Sequence, residues 1–435
     1  MKKNHLYRSW GLKEASNQEA FTLERQDFDL QKFTKKILAF ANGRSYGDIC
    51  LNSNGIVLDT KNWNQFIDFD FENGYLKAYS GVLLSDILKL IIPKGWFLPV
   101  LPGTKYISLG GAIANDIHGK NHHHAGTFGL HLEEFEILKS NGERLICNAS
   151  NNSDLFRATI GGMGLTGLII WAKIKLKKIT NSFLNLELIK FYSFEEFLNL
   201  SIDSDKKFEY TVAWIDSFAN NSLELRGIFM RANHDTNHMN NQQAKIREYN
   251  LPFEIPFSLV NNFTTKIFNY LYFNKQISKK IITKIDYNSF FFPLDLVSNW
   301  NLLYGPKGFT QLQFVCPLKN INSLLDEVFG LITKYHLSSP LSVLKVFGAI
   351  QSPGLLSFPR EGITLAMDFP SSNKNLELFL TEALKQIYKH EGIVYPAKDT
   401  HLEKSLFQES FKSLDEFKKN KDPNFCSDFW RRVND

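Results

Sequence analysis

The chain is poor in cysteine, with only four in 435 residues (Cys50, Cys147, Cys316 and Cys426), far apart in sequence. No C-x-x-C pair occurs, which argues against a disulfide framework or a zinc site and favours a reducing compartment. No run reaches the roughly 18 unbroken apolar residues that a transmembrane helix needs. No apolar core follows the charged residues at the start, so a cleaved signal peptide is not expected. We therefore expect a cytoplasmic protein that is soluble or peripheral on the inner membrane surface.

The chain also has little excess of either positive or negative charge. The net charge is +5, and no cluster of lysine and arginine is dense enough to indicate a nucleic-acid-binding arm. A hydrophobic content of 43% and a charged content of 22% are typical of globular proteins, which argues against disorder. A chain of this length is too long to fold around one hydrophobic core, so two domains are expected.

Glycine is concentrated in the first part of the chain, where 17 of the 26 glycines lie between Gly43 and Gly167. Residues 101–129 place five of their glycines between short apolar runs, together with four histidines. Glycine lets a backbone approach a ligand closely, and successive backbone N–H groups bind anions. The pattern indicates a large, phosphate-bearing cofactor, and we interpret residues 1–180 as the cofactor domain.

Periodicity predicts a mixture of strands and helices. Alternation around Asn73-Gly74 predicts a hairpin over residues 64–80 with a type I′ turn. Apolar residues at helical spacing predict a helix that begins at Leu83 and stops at Pro93. Residues 181–394 contain few glycines and are interpreted as an α+β substrate domain. Further strands are predicted at residues 168–176, 210–215, 308–315, 342–347 and 363–369, and further helices at 154–159 and 375–390.

Gly162, Gly164 and Gly167 match the G-x-G-x-x-G pattern of dinucleotide-binding folds. That motif requires a strand before it and a helix after it. Here a predicted helix precedes the glycines and a predicted strand follows them. We interpret the segment as a tight turn near a ligand rather than a Rossmann motif, and a purely structural turn is the alternative.

The loop at residues 43–48 (GRSYGD) connects the apolar run 37–40 to a second predicted strand at residues 55–58. Two glycines on either side of polar side chains can hold a pyrophosphate through backbone N–H groups. An ordinary strand–turn–strand connection is the alternative.

The histidines of residues 118–124 suggest a metal only at first sight. His118 and His122 have the i,i+4 spacing that joins two ligands on a helix. Gly119, Asn121 and Gly126 argue against a helix, and no carboxylate or cysteine follows at ligand spacing. We expect no metal site and interpret His118 as a substrate or cofactor contact, with packing as the alternative.

The glycine-rich loops GRSYGD (43–48), LPG (101–103), SLGGAIANDIHGK (108–120) and IGGMGLTG (160–167) resemble, in that order, the FAD domain of the vanillyl-alcohol-oxidase-type flavoproteins. Further motifs resemble a branch that oxidises polyprenyl-phosphate pentoses: DIHGKNHH, FPLD, YGPKGF, LSFP, DFP and AKD. The resemblance spans about residues 40–430 and is weaker in the substrate domain. It implies a two-domain α+β fold of the PCMH type with an antiparallel-sheet substrate domain, and residues 395–435 completing the FAD domain.

The resemblance also assigns site residues. The implied cofactor-binding residues are Gly43, Arg44, Ser45, Tyr46, Gly47, Gly103, Gly110, Gly111, Asn115, His118, Gly119, Gly164, Gly167 and Tyr395. The implied substrate-binding residues are His118, Lys120, Gln313, Lys345 and Lys398. Lys398, His118 and Tyr46 are the catalytic candidates, with Lys398 placing a positive charge near the reacting hydroxyl or flavin. A solvated lysine before a turn is the alternative for Lys398.

The implied activity is oxidation of the 2′-hydroxyl of a polyprenyl-phosphate pentose to a 2′-keto sugar by FAD. This reaction is half of an epimerisation, so a separate NAD(P)H-dependent short-chain reductase is the expected partner. A soluble sugar or aldonolactone oxidase of the same fold is the alternative, because fold does not fix substrate. From other classes, the alternatives are a flavin-binding protein without turnover and a basic nucleic-acid binder. FAD is expected to be non-covalent, because the first loop has Tyr46 where relatives that tether flavin commonly have histidine.

Two departures from the family concern the substrate. A cysteine that the branch carries on the DFP strand is Ala366 here, so no thiol should be assumed in the pocket. Residues 233–287 differ strongly. Within residues 251–292, aromatic residues alternate with Lys266, Lys275, Lys279, Lys280 and Lys284. This predicts either a packed amphipathic helix or an interfacial patch that binds anionic lipid.

Overall fold

The computed structural model describes residues 7–24, 28–219, 221–237, 248–251 and 254–434. The strands of the first part are β1 (Glu19–Thr22), β2 (Ile37–Phe40), β3 (Ile56–Asp59), β4 (Phe66–Asp70), β5 (Tyr75–Tyr79), β6 (Trp96–Phe97), β7 (Leu132–Leu138), β8 (Arg144–Asn148), β9 (Leu168–Lys175) and β10 (Lys177–Lys178). Its helices are α1 (Leu84–Ile91), α2 (Leu109–Ala114), α3 (His122–Ala125) and α4 (Ser153–Thr159).

The second part contains ten further strands and five helices among its described residues. The strands are β11 (Phe183–Phe191), β12 (Tyr210–Ile215), β13 (Gly227–His234), β14 (Tyr249–Asn250), β15 (Lys280–Asp286), β16 (Val297–Ser298), β17 (Phe309–Cys316), β18 (Ser342–Phe347), β19 (Gly362–Pro370) and β20 (Ile393–Val394). The helices are α5 (Phe194–Ser204), α6 (Asn262–Asn274), α7 (Tyr287–Phe291), α8 (Ile321–Lys334) and α9 (Leu376–Lys389). The chain ends in α10 (Lys404–Ser410), α11 (Leu414–Asn420) and α12 (Asp428–Asn434).

The first part contains two larger sheets and the short antiparallel pair of β6 and β10. A parallel three-stranded sheet has the order β1-β3-β2, and an antiparallel five-stranded sheet has the order β4-β5-β9-β7-β8. Helix α1 buries Leu84, Ile87, Leu88 and Ile91 at the predicted helical spacing. The backbone turns left-handed at Gly95, just beyond Pro93, which ends this segment as glycine after a helix commonly does.

The predicted hairpin is present, but the prediction of a type I′ turn was wrong. β4 and β5 pair antiparallel, and a four-residue connection joins them. Of its residues only Gly74 has a positive φ, +73°, whereas a type I′ turn needs two such residues. The Asp70 carboxylate accepts hydrogen bonds from the backbone N–H groups of Glu72 and Asn73, which stabilises the longer loop instead.

The second part is dominated by an eight-stranded sheet with the order β15-β11-β13-β12-β18-β19-β17-β20, in which all neighbours are antiparallel. One face packs on α5, α8 and α9 through a core that includes Ala213, Leu344, Leu365 and Phe314. The residues between these point to the opposite face, because side chains alternate along a strand. The predicted α+β class with an antiparallel substrate sheet is confirmed.

The C-terminal helices contact the first part of the chain. The backbone N–H and hydroxyl of Ser53 both donate to the Asp428 carboxylate, each at 2.7 Å. Arg432 forms ion pairs with Asp48 at 2.8 Å and Asp399 at 3.1 Å. The exact domain boundaries at residues 180 and 395 stay predictions.

Candidate active site

A single cavity of about 800 Å³ runs between the glycine-rich loops and the free face of the large sheet. This volume lies in the upper part of the usual range for ligand pockets, on the order of 300–1,000 Å³. Its walls contain every predicted site residue except Gly47. The sequence therefore predicted residues that the fold brings to one place, although their individual roles stay predictions.

The loops leave backbone exposed to the cavity. A Cβ atom added at Gly103 would meet nothing within 4 Å, one at Gly111 only the Ser108 hydroxyl at 3.1 Å, and one at Gly164 only Leu38 at 3.9 Å. Gly164 also has φ +72°, which disfavours any side chain there. A side chain at these positions would project into the cavity, so the loops fit a cofactor that lies directly on the backbone.

Asn115 gives a second test of that fit. Its side-chain nitrogen donates to the Gly111 carbonyl at 2.9 Å, whereas its buried side-chain oxygen has no partner among the described residues. A buried acceptor without a donor is costly. The N–H of a bound flavin would satisfy it. The Tyr395 hydroxyl donates to the Asn115 backbone carbonyl at 3.0 Å and fixes this wall.

Gly47 does not line the cavity. A Cβ atom there would lie 1.7 Å from the backbone oxygen of Asp399, so this glycine allows the first loop to pack against the segment that carries Lys398. The Tyr46 N–H donates to the Ala397 carbonyl at 3.1 Å and joins the same two segments. Gly47 therefore joins two walls of the site, and its assignment as a cofactor contact stays a prediction.

Lys398 lies against Tyr46. Its ammonium is 3.2 Å from the centre of the Tyr46 ring, a cation–π contact, and it forms no ion pair with any described residue. Burial lowers the pKa of Lys398, the Lys345 charge adds to this, and Asp368 opposes it. Burial raises the pKa of Asp368, whose carboxylate accepts a hydrogen bond from the Gln311 side chain. Lys398 is therefore an enclosed cation, not the solvated lysine of the alternative.

His118 lies between two polar side chains of the sheet. Its Nδ1 is 3.5 Å from Lys345 Nζ, and its Nε2 is 3.1 Å from the side-chain nitrogen of Gln313. The ring packs against Phe347 and Tyr395 at centroid distances of 4.8 and 5.6 Å. Burial and the Lys345 charge lower the pKa of His118 well below its usual value, so the ring is neutral near pH 7.

Lys120 is held differently from the other two lysines. Its ammonium donates to the backbone carbonyls of Phe290 and Phe291, each at 3.0 Å, and so ties the DIHGK loop to α7. Burial lowers its pKa to about 7, with a further contribution from Lys345. An ammonium has three donors, so one remains for a ligand.

The structure also shows how the G-x-G-x-x-G segment and the histidines of residues 118–124 are arranged. Helix α4 precedes Gly162 and strand β9 follows Gly167, the opposite of the Rossmann order, as predicted. A single helical turn, α3, covers His122 to Ala125, where no helix was expected. His118 lies outside that turn. The polar neighbours of the His118 ring are Lys345 and Gln313. A protonated lysine amine cannot act as a metal ligand, so Lys345 and His118 do not form a pair of ligands.

Asp368, Asp295 and Cys50 are among the cavity residues that were not assigned to the site from the sequence. Asp368 lies in the DFP motif, and its second carboxylate oxygen is buried without a partner among the described residues. Asp295 of the FPLD motif accepts bonds from the Thr104 hydroxyl and the Lys105 N–H. Cys50 also lines the cavity, and burial raises its pKa to about 12, so it is an unreactive thiol. Motif membership was the signal available for the two acids.

Comparisons with known proteins agree with this site. Residues 30–148 match the model of the FAD binding domain family. The chain is 33% identical to decaprenylphosphoryl-β-D-ribose oxidase of Mycolicibacterium smegmatis, over 91% of this chain and 89% of that relative. It is 26% identical to an uncharacterised protein of Streptomyces coelicolor, over 81% of this chain and 100% of that protein. It is 28% identical to a putative D-arabinono-1,4-lactone oxidase of Neurospora crassa, over 38% of this chain and 31% of that one.

The fold and the glycine-lined cavity define an FAD-dependent oxidoreductase, and the prediction of FAD as cofactor is confirmed. Within that class, the chain belongs to the family of FAD-binding oxidoreductases that includes decaprenylphosphoryl-β-D-ribose oxidase.

FAD is expected to be held without a covalent bond. The first loop presents Tyr46, the Cys50 thiol is kept protonated by its raised pKa, and both nitrogens of His118 face other side chains. Acid precipitation of the purified protein should therefore release a yellow supernatant. Yellow colour that stays in the washed pellet would contradict this expectation.

Proposed function

We propose that this protein uses FAD to oxidise the 2′-hydroxyl of a polyprenyl-phosphate pentose to a 2′-keto sugar, the first half of an epimerisation. The observation that carries the proposal is the charge of the cavity. Lys120, Lys345 and Lys398 all line it, and their contacts are with backbone carbonyls, His118 and an aromatic ring rather than with a described carboxylate. Arg44 and Lys275 line it as well, against the two carboxyl groups of Asp295 and Asp368. This excess of basic groups favours an anionic ligand such as a phosphodiester.

Bound FAD supplies the acceptor for the carbinol hydride. The chain's own residues bind and orient the sugar and handle the proton. Lys398 stabilises the negative charge that develops in the transition state. His118, neutral and at the junction of the loops with the sheet, accepts the hydroxyl proton at Nδ1, where the substrate hydroxyl replaces the long 3.5 Å contact with Lys345. Gln313, whose side-chain nitrogen lies 3.1 Å from Nε2, holds the ring in place.

A soluble sugar or aldonolactone oxidase remains the second candidate, because lactone oxidases are among the more distant relatives. A neutral lactone would leave the cavity lysines without a partner. The deciding experiment is anaerobic bleaching of the flavin with a short-chain prenylphosphoryl pentose, a neutral pentose and an aldonolactone. Bleaching by the phosphodiester alone supports the proposal, whereas bleaching by the lactone alone favours the second candidate. No bleaching by any of them would favour a flavin-binding protein without turnover.

Binding of the phosphodiester should depend on pH. Burial lowers the pKa of Lys120 to about 7 and that of Lys345 to about 8, so both are partly neutral near pH 8. An anion favours their charged forms and raises both pKa values, so its binding takes up protons. Affinity should fall with rising pH, by up to about tenfold per pH unit for each proton taken up.

Titration calorimetry in buffers of different ionisation enthalpy measures this proton uptake. The Lys345→Met variant should take up fewer protons than wild type, and Lys319→Met, an exposed lysine paired with Glu391, should match wild type. Binding of the phosphodiester without proton uptake at about pH 8 would contradict the assigned role of these lysines.

A keto sugar must be reduced again to complete an epimerisation, so we also propose an NAD(P)H-dependent short-chain reductase as partner. It would act on the released product and needs no docking surface on this chain. Product from the anaerobic reaction, added to such a reductase with NAD(P)H, should give the 2′-epimer of the starting sugar. Return of the starting sugar alone would contradict this part of the proposal.

We further propose that the protein is peripheral on the inner membrane surface, attached through α6. Across the described residues no helix combines the length and the apolarity needed to cross a bilayer. Helix α6 and its surroundings nevertheless expose apolar side chains, which we call the outer patch: Phe257 (62% exposed), Phe263 (72%), Ile267 (46%), Tyr270 (61%) and Leu271 (60%). Phe253 of the predicted patch lies outside the described residues. One-sided exposure of this kind favours an interfacial site.

The lysines of the predicted patch contribute less than the sequence suggested. Lys279, Lys280 and Lys284 lie in or beside strand β15, not on a helix. Lys279 pairs with Glu196 at 3.3 Å, Lys280 pairs with Glu187 at 3.0 Å, and Lys284 pairs with Asp235. These pairs offset part of their attraction to anionic lipid, so apolar burial should dominate binding.

Vesicle sedimentation tests the outer patch. Wild type should sediment with anionic vesicles at low salt, and Phe263→Ser with Leu271→Ser should reduce the bound fraction by about tenfold through lost apolar burial. Replacing Lys279 and Lys280 by Glu should cause a smaller, salt-sensitive loss. The control replaces the exposed Leu318 and Leu378 by Ser. Wild type that stays in the supernatant would contradict membrane attachment.

A further inference from the structure

The free face of the eight-stranded sheet changes from polar to apolar along the sheet. Gln311 on β17 lies opposite Asp368 on β19, and Gln313 lies opposite Ala366. These residues, with Lys345 on β18, line the part of the cavity that contains His118 and Lys398. The polar end of the face is therefore the end at which the reaction takes place.

The same face continues without interruption into apolar residues. Ala366 pairs with Val343, which pairs with Trp214, and on the strands beyond them Val212 pairs with Met230 and Met230 with Leu188. The side chains of all these residues line the one cavity. From β19 to β11 the face crosses four strand spacings, a distance of about 19 Å. We call the portion over β11, β13 and β12 the apolar arm.

Helix α6 covers the apolar arm. Phe268 and Tyr272, one helical turn apart, line the cavity, and the Tyr272 ring lies 4.7 Å from that of Trp214. The helix is held by an Asn261 capping box and by the buried Asn269, whose side chain donates to Asp216 at 2.8 Å. The outer patch lies on the opposite side of this helix. The arm therefore lies between the reacting end of the cavity and the proposed membrane-facing surface.

We infer that the apolar arm binds the prenyl chain of the substrate next to its phosphate, while the pentose lies at the polar end. This inference rests on the proposed function and deepens it. The occupant follows from the continuity of one cavity: a molecule that reaches from Gln313 to Leu188 must be polar at one end and apolar at the other. Lys345 lies on β18, between β17 and β12 in the strand order, and the Lys120 carbonyl accepts a hydrogen bond from the Thr211 N–H of β12. Both lysines therefore line the cavity between its two ends, where a phosphate joins the two halves of such a molecule.

Chain length is the variable that tests the arm. We expect KM to fall as the ester lengthens from methyl to a chain of several isoprene units, and then to level off once the arm is filled. In Leu188→Trp, which fills the arm, KM for the long ester should rise about tenfold, the loss expected when about two methylene groups lose their apolar contacts. KM for the methyl ester should stay at the wild-type value. Leu378→Trp, on an exposed face of α9, is the matched control.

Met230→Gln provides a second variant, nearly equal in volume, in case the larger side chain disturbs folding. It should raise KM for the long ester in the same direction. A binding measurement without turnover uses a bromoalkyl phosphate, which should quench the fluorescence of Trp214. Quenching should be strong in wild type and weaker in Trp214→Phe, because Trp214 lies on the apolar arm, whereas Trp10 and Trp300 line the cavity beside the first glycine loop.

The outcomes separate this inference from the proposed function. If no pentose ester bleaches the flavin, the proposed function fails, while quenching of Trp214 still supports an apolar chain in the arm. If the methyl and long esters have equal KM values and the variants change neither, the inference fails although the proposed function stands. Equal quenching in wild type and Trp214→Phe would also overturn it.

Discussion

Replacement of Lys398 by methionine is expected to leave FAD binding intact and to slow substrate-driven flavin reduction by a factor on the order of 10²–10³, the loss typical of one preorganised electrostatic contact. The ammonium lies over the Tyr46 ring within the cavity and has no described carboxylate partner, so its charge is directed at the ligand. Methionine preserves much of the length and packing of lysine without the charge. Stopped-flow reduction under anaerobic conditions measures the effect.

Lys398→Arg should recover only part of the rate, because a planar guanidinium does not replace a compact ammonium. Lys319→Met, an exposed lysine far from the cavity walls, is the control and should reduce at the wild-type rate. A near-normal rate in Lys398→Met would remove this residue from the catalytic candidates. Loss of FAD from the variant would instead assign Lys398 to cofactor binding.

The parts of the fold that local sequence determines were predicted well. Strands β12 and β18 have the predicted bounds, since each is a short run rich in β-branched and aromatic residues. The hairpin turn was mispredicted because Asn73-Gly74 alone favours a two-residue turn, while the decisive contact comes from the Asp70 side chain. Local patterns do not reveal which of two competing local hydrogen bonds forms.

The site was predictable only where a motif marked it. The glycine loops were found because close backbone approach requires glycine. The cluster of Lys120, Lys345 and Lys398 could not be deduced from spacing, because three separate segments bring these residues together. The apolar arm was equally invisible, since Leu188, Val212 and Met230 each look like ordinary core residues of a strand. Only the strand order and register place them on one face with Gln313.

Replacement of His118 should remove the group that accepts the proton of the substrate hydroxyl, whereas replacement of Lys398 removes a positive charge. Its ring is neutral because burial and the charges of Lys345, His122 and Lys398 all lower its pKa. An anionic substrate offsets those positive charges and raises the pKa, which makes the ring a better proton acceptor once the substrate is bound. Glutamine at this position keeps a hydrogen-bonding group for Lys345 and Gln313 but cannot take up a proton.

His118→Gln should therefore retain FAD and lower the rate of flavin reduction by a factor on the order of 10²–10⁴, as expected for loss of a general base. In wild type, kcat/KM should fall only well below pH 6.5, because burial and the Lys345 charge lower the pKa of His118 in the free enzyme, and this acid limb should disappear in the variant. His131→Gln, a half-buried histidine outside the cavity wall that contacts the Ala125 carbonyl, is the control. An unchanged acid limb in His118→Gln would show that another group accepts the proton and that His118 only positions its neighbours.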